Sequence, residues 1–435
     1  MNLSKKASAF VLVLLPVIAM AGSWTVLPNY PTPICKGGSA LCYGPHNGHK
    51  YVWLMHGPDD YQRFLFHRRD VDSAQASWAE LSIMPQDETD VGWGGALTYV
   101  PDPNANPASG WILAMKGGGT DEFYVYEPSE NAWDTLPSCL EEVTAGGSLC
   151  YGGTFDDTAF VYSLTGNEVA DGEDYYATFC RFKFDVNDGP ASGVWDSRRQ
   201  ALGRTDSGAA LAWCVLPTGT EYGLVYRESG HECTDLQMYE PLADSWGSRP
   251  LGEFGGGGAM ATGPGGDPTI WIFRGHACTD WWCFDVCSNF IKQFTQQHFP
   301  NDVTWRLQVG GAAMCSDGEF VYAELGNTTF REFRKYVPGD DEEGGQGSTV
   351  VGSSLAVQVV AGTGVHRFGL TSARPGPVAL RIVDPCGRTV SLTRAASAAG
   401  SCDLVWEHGR AASGVYFYRL EASGESAIGK VTVVK

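Results

Sequence analysis

Apolar positions along this chain fall in short runs that end in glycines. Trp111-Ile112-Leu113-Ala114-Met115 is one, closed by Gly117-Gly118-Gly119. Runs of this length between turn residues predict β-strands, because a buried helix needs ten or more residues. Phe123 to Tyr126 and Trp133-Asp134-Thr135-Leu136-Pro137 predict two more strands of the same unit. A small-residue entry to an apolar strand recurs along the chain. It reads Gly37-Gly38-Ser39-Ala40-Leu41, Gly94-Gly95-Ala96-Leu97 and Gly146-Gly147-Ser148-Leu149. It returns as Ser207-Gly208-Ala209-Ala210-Leu211, Gly257-Gly258-Ala259-Met260 and Gly310-Gly311-Ala312-Ala313-Met314. The second glycines are 57, 52, 61, 50 and 53 residues apart. Fixed strands joined by loops of variable length produce such spacing.

Tyr126 stands seven residues before Trp133, and Tyr239 seven before Trp246. A double glycine, then a Tyr, then a Trp about seven on resembles the kelch repeat. Several kelch-like repeats in a row imply a β-propeller with one four-stranded blade per repeat. The resemblance covers residues 23 to 337. The sixth unit runs through Phe320 to Tyr336 without a Trp strand, while Trp24-Thr25-Val26-Leu27-Pro28 matches Trp133 to Pro137 in pattern. The N-terminal strand is therefore expected to complete the last blade and remove two exposed sheet edges.

Residues 340–352 are acidic and glycine-rich and read as a linker. Beyond it, 353–435 alternates like an antiparallel sandwich, with strands at Val378 to Val383, Leu404 to Trp406, Gly414 to Leu420 and Gly429 to Lys435. Ile382-Val383-Asp384 with Gly387-Arg388-Thr389-Val390, Ser413-Gly414-Val415-Tyr416-Phe417 and the final Lys430 to Lys435 strand resemble the Ig-like C-terminal sorting domain of the bacterial type IX secretion system. Val359-Val360-Ala361-Gly362 stands where that family carries Asn-Pro. The resemblance implies an address read by secretion machinery at the outer membrane. Asp384, Gly387, Arg388, Gly414, Tyr416 and Lys430 would carry it. The other reading of the tail is a plain Ig-like accessory domain. The fold expected for the whole chain is all-β: a six-bladed kelch-like propeller over 22–339, then a small Ig-like β-sandwich.

Residues 1–21 read as an export signal. Lys5 and Lys6 precede an apolar run from Ala7 to Met20, and Ala19-Met20-Ala21 is a small-x-small cleavage site ending at Ala21. This almost entirely apolar run of fourteen residues falls short of a membrane span of ~20, so the mature chain is expected to have no transmembrane segment. The address that follows is secreted, or the outer surface of a Gram-negative-type bacterium. Thirteen cysteines suit an oxidising compartment, as disulfides or buried thiols. Cys386 and Cys402, the only two past the linker, are expected to pair. The net charge of −20 argues against nucleic acid. It is uneven. Residues 22–339 hold 19 Lys and Arg against 41 Asp and Glu, and 353–435 hold nine against five.

Candidate chemistry is sparse. No His-Glu-x-x-His, P-loop, nucleophile elbow or dinucleotide fingerprint stands out. Gly230-His231-Glu232-Cys233-Thr234-Asp235 returns as Gly275-His276-Ala277-Cys278-Thr279-Asp280, and Gly118-Gly119-Thr120-Asp121 occupies the equivalent place in unit two. His231, Asp235, His276 and Asp280 either face one ligand from adjacent blades or form a duplicated turn. Trp281-Trp282 would stack on a sugar or pack between blades. No cofactor is predicted, although Asp171 to Asp174 and Asp156-Asp157 offer oxygen ligands for Ca²⁺. The function expected is binding of a protein or glycan by propeller loops. The alternatives are a secreted propeller enzyme, either an oxidase or a polysaccharide-active hydrolase or lyase, and a structural surface component.

Overall fold

A computed structural model describes residues 23–433, outside 31–36, 58–64, 74, 86–90, 167–177, 202–204, 206, 216–223, 229–233, 251–257, 264–267, 276–280, 287–289, 294–311, 325–332, 339–354, 363–364, 373–375, 384–388, 398–399, 409–410, 412–413 and 423–424. The described chain is all-β. It has no α-helix, only a short 3-10 turn at Pro190–Ser192, and no helix long and apolar enough to cross a membrane. The expected export signal, residues 1–21, and the expected linker, 340–352, lie outside the described residues.

Strand β1 is Ser23–Leu27. The first sheet holds β2 (Ala40–His46), β3 (His49–Met55), β4 (Phe66–Asp70) and β5 (Ala79–Glu80). The second holds β6 (Ala96–Asp102), β7 (Ser109–Met115), β8 (Phe123–Glu127) and β9 (Ala132–Thr135). The third holds β10 (Gly147–Phe155), β11 (Thr158–Thr165), β12 (Phe179–Asp185) and β13 (Val194–Ser197). The fourth holds β14 (Ala210–Cys214), β15 (Leu224–Glu228), β16 (Asp235–Glu240) and β17 (Ser245–Pro250). The fifth holds β18 (Ala259–Thr262), β19 (Thr269–Phe273), β20 (Trp281–Asp285) and β21 (Phe290–Gln293). In the sixth, β22 (Ala313–Ser316), β23 (Val321–Glu324) and β24 (Phe333–Val337) are completed by β1. Trp24 lies opposite Tyr336 in that pairing, as the matching sequence patterns predict. The first strands touch in a closed cycle, β2 to β6, β10, β14, β18, β22 and back to β2. This is the layout of a β-propeller.

Period-2 alternation on the inner strands fills the layers between sheets. Each inner strand turns a small side chain to the next sheet, where a Leu or Met receives it. Cys42 shares a core with Leu97, Ala96 with Leu149, Cys150 with Leu211, and Ala212 with Met260. Ala261 meets Met314, and Cys315 meets Leu41, which closes the cycle. The repeated glycines permit close approach. Gly38 has φ +96°, and a Cβ there would lie 2.0 Å from the Gly92 carbonyl oxygen. Gly94, at φ +91°, faces the Thr144 oxygen at 1.9 Å in the same way.

Indoles on or beside the outermost strands tie each of the first four sheets to the end of the one before. Trp78 donates to the Pro28 carbonyl at 3.0 Å and Trp133 to Ser82 at 2.8 Å. Trp195 donates to Pro137 at 2.9 Å and Trp246 to Arg199 at 2.7 Å. Trp78 thus joins the first sheet to the segment that leaves β1. The kelch-like Tyr and Trp lie opposite each other. Tyr126 pairs with Trp133 and Tyr239 with Trp246, each with ring centroids 5.1 Å apart.

Cys42, Cys139, Cys150, Cys180 and Cys315 are free and buried, and Cys214 and Cys283 are buried. Of the two uses expected for cysteine, these serve as buried side chains, packed as small apolar groups.

The tail forms β25 (Leu355–Gly362), β26 (Val365–Ser372), β27 (Gly376–Val383), β28 (Thr389–Ser397), β29 (Gly400–Glu407), β30 (Gly414–Ala422) and β31 (Glu425–Val433). The sheets β25-β26-β29 and β28-β27-β30-β31 share one core, with Phe368 and Trp406 on one side and Leu380, Ile382, Tyr418 and Leu420 on the other. Gly414 opens β30, Tyr416 is buried within it, and Lys430 lies in β31. Asp384, Gly387 and Arg388 fall outside the described residues. So does Cys386, and with it the expected pairing to Cys402, which lies in β29 opposite Leu370.

Candidate functional site

Because the six inner strands run alike, equivalent repeat positions meet around the channel. The glycine entries, among them Gly38, Gly95, Gly147, Gly208 and Gly258, surround a narrow cavity of about 150 Å³. Leu41, Leu97, Leu149, Leu211, Met260 and Met314 line both this cavity and a second one of about 440 Å³. They are the apolar floor of the wider mouth. Two residues further along each strand, the wall carries Tyr43, Tyr99, Tyr151 and Trp213, followed by Thr262 and Ser316. Aromatics therefore cover four repeats, and small polar residues cover the other two.

Local contacts hold these rings. The Tyr99 hydroxyl donates to the Pro45 carbonyl at 2.9 Å, and its ring lies where a Cβ on Gly44 would come within 2.1 Å. Tyr151 and Thr154 share a hydroxyl contact of 2.7 Å. Trp213 stacks on Tyr162 with centroids 5.9 Å apart and planes 15° from parallel. Tyr43, Tyr151 and Trp213 keep part of their surface exposed. Burial, with the nearby Asp317 and Asp72 carboxylates, pushes the Tyr43 phenol up to about 12. Burial also raises Tyr99 and Tyr151. All three are neutral donors at neutral pH. The lining thiols Cys42, Cys150 and Cys315 are raised by burial too, so they are not thiolate nucleophiles.

His46 ends β2 just beyond Tyr43. Its Nδ1 lies 2.8 Å from the Ser109 Oγ of the second sheet, and its Nε2 lies 2.9 Å from the Asn47 side-chain amide. Ser109 opens β7 beside Gly110, where a Cβ would lie 2.7 Å from the Tyr99 hydroxyl oxygen. The contact thus lies at the seam between the first and second sheets, joined to the aromatic wall through the Tyr99 hydroxyl.

The described residues singled out in the sequence lie elsewhere. His231, His276 and Asp280 are outside the described residues. Asp235 opens β16 half-buried and opposite Pro250, within hydrogen-bond reach of the Thr234 hydroxyl. Trp281 is fully buried between Trp24, Trp271 and Tyr336, with centroids 5.0 to 5.3 Å away. That corrects its candidacy as a stacking platform, because a ring without exposed surface packs between sheets and cannot meet a ligand. In unit two, the turn equivalent to the repeated hexapeptide is a strut. Gly118 donates to the Trp93 carbonyl and Gly119 to the Val143 carbonyl, each at 2.9 Å. Asp156 and Asp157 form the β10–β11 turn, both with positive φ. Among the described residues, no group of three or more His, Cys, Asp or Glu is placed to hold a metal ion.

No protein-family model matches the chain, and no curated protein matches it. Solved structures do resemble it. The α-L-arabinofuranosidase Arb93A of Fusarium graminearum, in complex with an iminosugar inhibitor, is 11% identical over 74% of this chain and 98% of that one, with a TM-score of 0.49. An α-L-arabinanase of Penicillium chrysogenum, complexed with arabinobiose, is 11% identical over 74% and 98%, with a TM-score of 0.48. A fungal alcohol oxidase of the AA5 family, in complex with copper, is 11% identical over 95% and 100%, with a TM-score of 0.43. Likeness at this level assigns no substrate and no activity to this chain.

Proposed function

We propose that the chain is an exported glycan-binding protein, a six-bladed kelch-type propeller over 22–339 that takes its ligand in the wide mouth of the channel. The Ig-like domain over 353–435 is its sorting address, reached through the 340–352 linker. One observation carries the binding reading: Tyr43, Tyr151 and Trp213, each partly exposed, line with the buried Tyr99 one side of a cavity of about 440 Å³ over an apolar floor. Sugar rings present flat C–H faces that stack on such aromatics, and neutral phenols supply hydrogen bonds to hydroxyls. The test is a glycan array followed by titration calorimetry on the full chain. Trp213→Ala and Tyr151→Ala are expected to weaken binding at least about tenfold, a loss of about 1.4 kcal/mol. Absence of any glycan ligand, or variants that bind as well as the parent, rejects the reading. The second reading, a secreted propeller enzyme, is favoured by the serine–histidine contact between Ser109 and His46.

A further inference from the structure

We infer that Ser109, His46 and Asn47 form a nucleophile, base and positioning residue for hydrolysis of carboxylic esters at the seam between the first and second sheets. This deepens the enzyme reading by naming its substrate class, and glycan binding by the aromatic wall does not depend on it.

Geometry carries the inference. A nucleophilic hydroxyl needs a base within hydrogen-bond reach, and the base needs a third group to fix its tautomer. Ser109 Oγ is 2.8 Å from His46 Nδ1, and the Asn47 amide is 2.9 Å from Nε2. A half-turn of that amide places its oxygen on Nε2, so that Nε2 holds the ring proton and Nδ1 is free to accept. The nucleophile then meets one ring nitrogen and an asparagine oxygen holds the other, as in the cysteine–histidine–asparagine variant of the catalytic triad. Ser109 keeps part of its surface exposed, while His46 is buried. Burial, with Arg68 nearby, holds the His46 pKa below its usual value, so the imidazole is neutral at neutral pH and keeps a lone pair to accept a proton. The Trp53 ring packs against His46 at 6.5 Å, and the Tyr99 hydroxyl is anchored on Pro45, the residue before it.

The chemistry balances with water as the only co-reactant. Ser109 Oγ bonds to the ester carbonyl carbon while its proton passes to His46 Nδ1. The bond from that carbon to the alcohol oxygen breaks, and His46 returns the proton to the departing oxygen. Water then attacks the acyl-serine and gives its proton to Nδ1. Ser109 Oγ leaves and takes that proton, and the carboxylic acid is released.

The experiment treats the folded full chain with a fluorophosphonate probe and maps the adduct by mass spectrometry. Hydrolysis of p-nitrophenyl acetate is measured alongside. The expected result is an adduct on Ser109 and a loss of turnover of about 100-fold or more in Ser109→Ala. Asn47→Gly suits the backbone there, at φ +51°, and removes only the amide. It is expected to lower kcat with KM unchanged and to slow labelling, while Asn47→Asp, which keeps an acceptor on Nε2, restores both. A folded parent with no adduct on Ser109, or Ser109→Ala with full turnover, overturns the site. Equal labelling of Asn47→Gly and the parent overturns the role of Asn47. Glycan binding measured on Ser109→Ala keeps the two readings apart, since that variant is expected to retain the parent's affinity.

Discussion

At the scale of single residues, the mouth was half legible. An aromatic follows two positions after the entry Leu in the first four repeats, at Tyr43, Tyr99, Tyr151 and Trp213, and the signal needs only alignment of the entries. The repeated His-x-Cys-Thr-Asp was more conspicuous. Yet the equivalent turn in unit two is a backbone strut, and the adjoining Trp281 is core. Ser109 and His46 lie 63 positions apart, so only packing of the second sheet against the first brings them together. Buried histidines also set a pH dependence. His56 and His67 pack with centroids 4.8 Å apart. Burial holds both below the usual 6.5, and His56 is lowered further by His67. Glu80, the carboxylate bearing on His67, opposes its shift only in part. A folded-state pKa below the unfolded one means the unfolded chain takes up the proton first. Stability is then fully present above about 6.5 and lost as the pH falls toward the folded values. The urea midpoint is expected to drop between pH 7.5 and pH 5, with a shallower drop in His56→Gln/His67→Gln. A midpoint that holds or rises in the parent rejects this coupling.

Among the elements, strand positions were the most legible, because short apolar runs between glycines admit little else. The indole ties were visible only in part. Tyr126 with Trp133 and Tyr239 with Trp246 stood out by their spacing, but no sequence pattern reveals that Trp133 reaches back to the Ser82 carbonyl of the sheet before. Trp133 also meets Phe66 of the first sheet at 5.0 Å. Trp133→Phe keeps an aromatic ring in that layer and removes the donor. It is expected to cost about 1 kcal/mol, the net value of one such hydrogen bond. Trp133→Ala removes the packing as well and is expected to cost about 3 kcal/mol or more. Chemical denaturation of the two variants separates these contributions. A Phe variant as stable as the parent would leave packing as the whole of the effect.

For the whole molecule, closure is the decisive property, and the sequence announced it at both ends. The sixth unit lacks its last strand, and Trp24 to Pro28 carries that strand's pattern. In the structure Trp24 stacks on Phe273 and meets Trp281 and Tyr336, while β1 covers the edge of β24. The tail stands on different terms. The described cores of the ring contain no residue beyond Tyr336, and the tail's core contains none before Phe368. Two truncations should therefore behave oppositely. Removing Ser23 to Leu27 uncovers a strand edge and strips the aromatic layer between the fifth and sixth sheets, so the melting temperature is expected to fall and association to increase. Removing 340–435 takes nothing from the described cores of the ring, which is expected to melt as it does in the full chain. In a host with type IX machinery the same product, still carrying the 1–21 signal, is expected to remain in the periplasm. A tail-less protein that reaches the surface as the full chain does would make residues 353–435 an accessory domain. One that fails to fold would show that the ring depends on its tail.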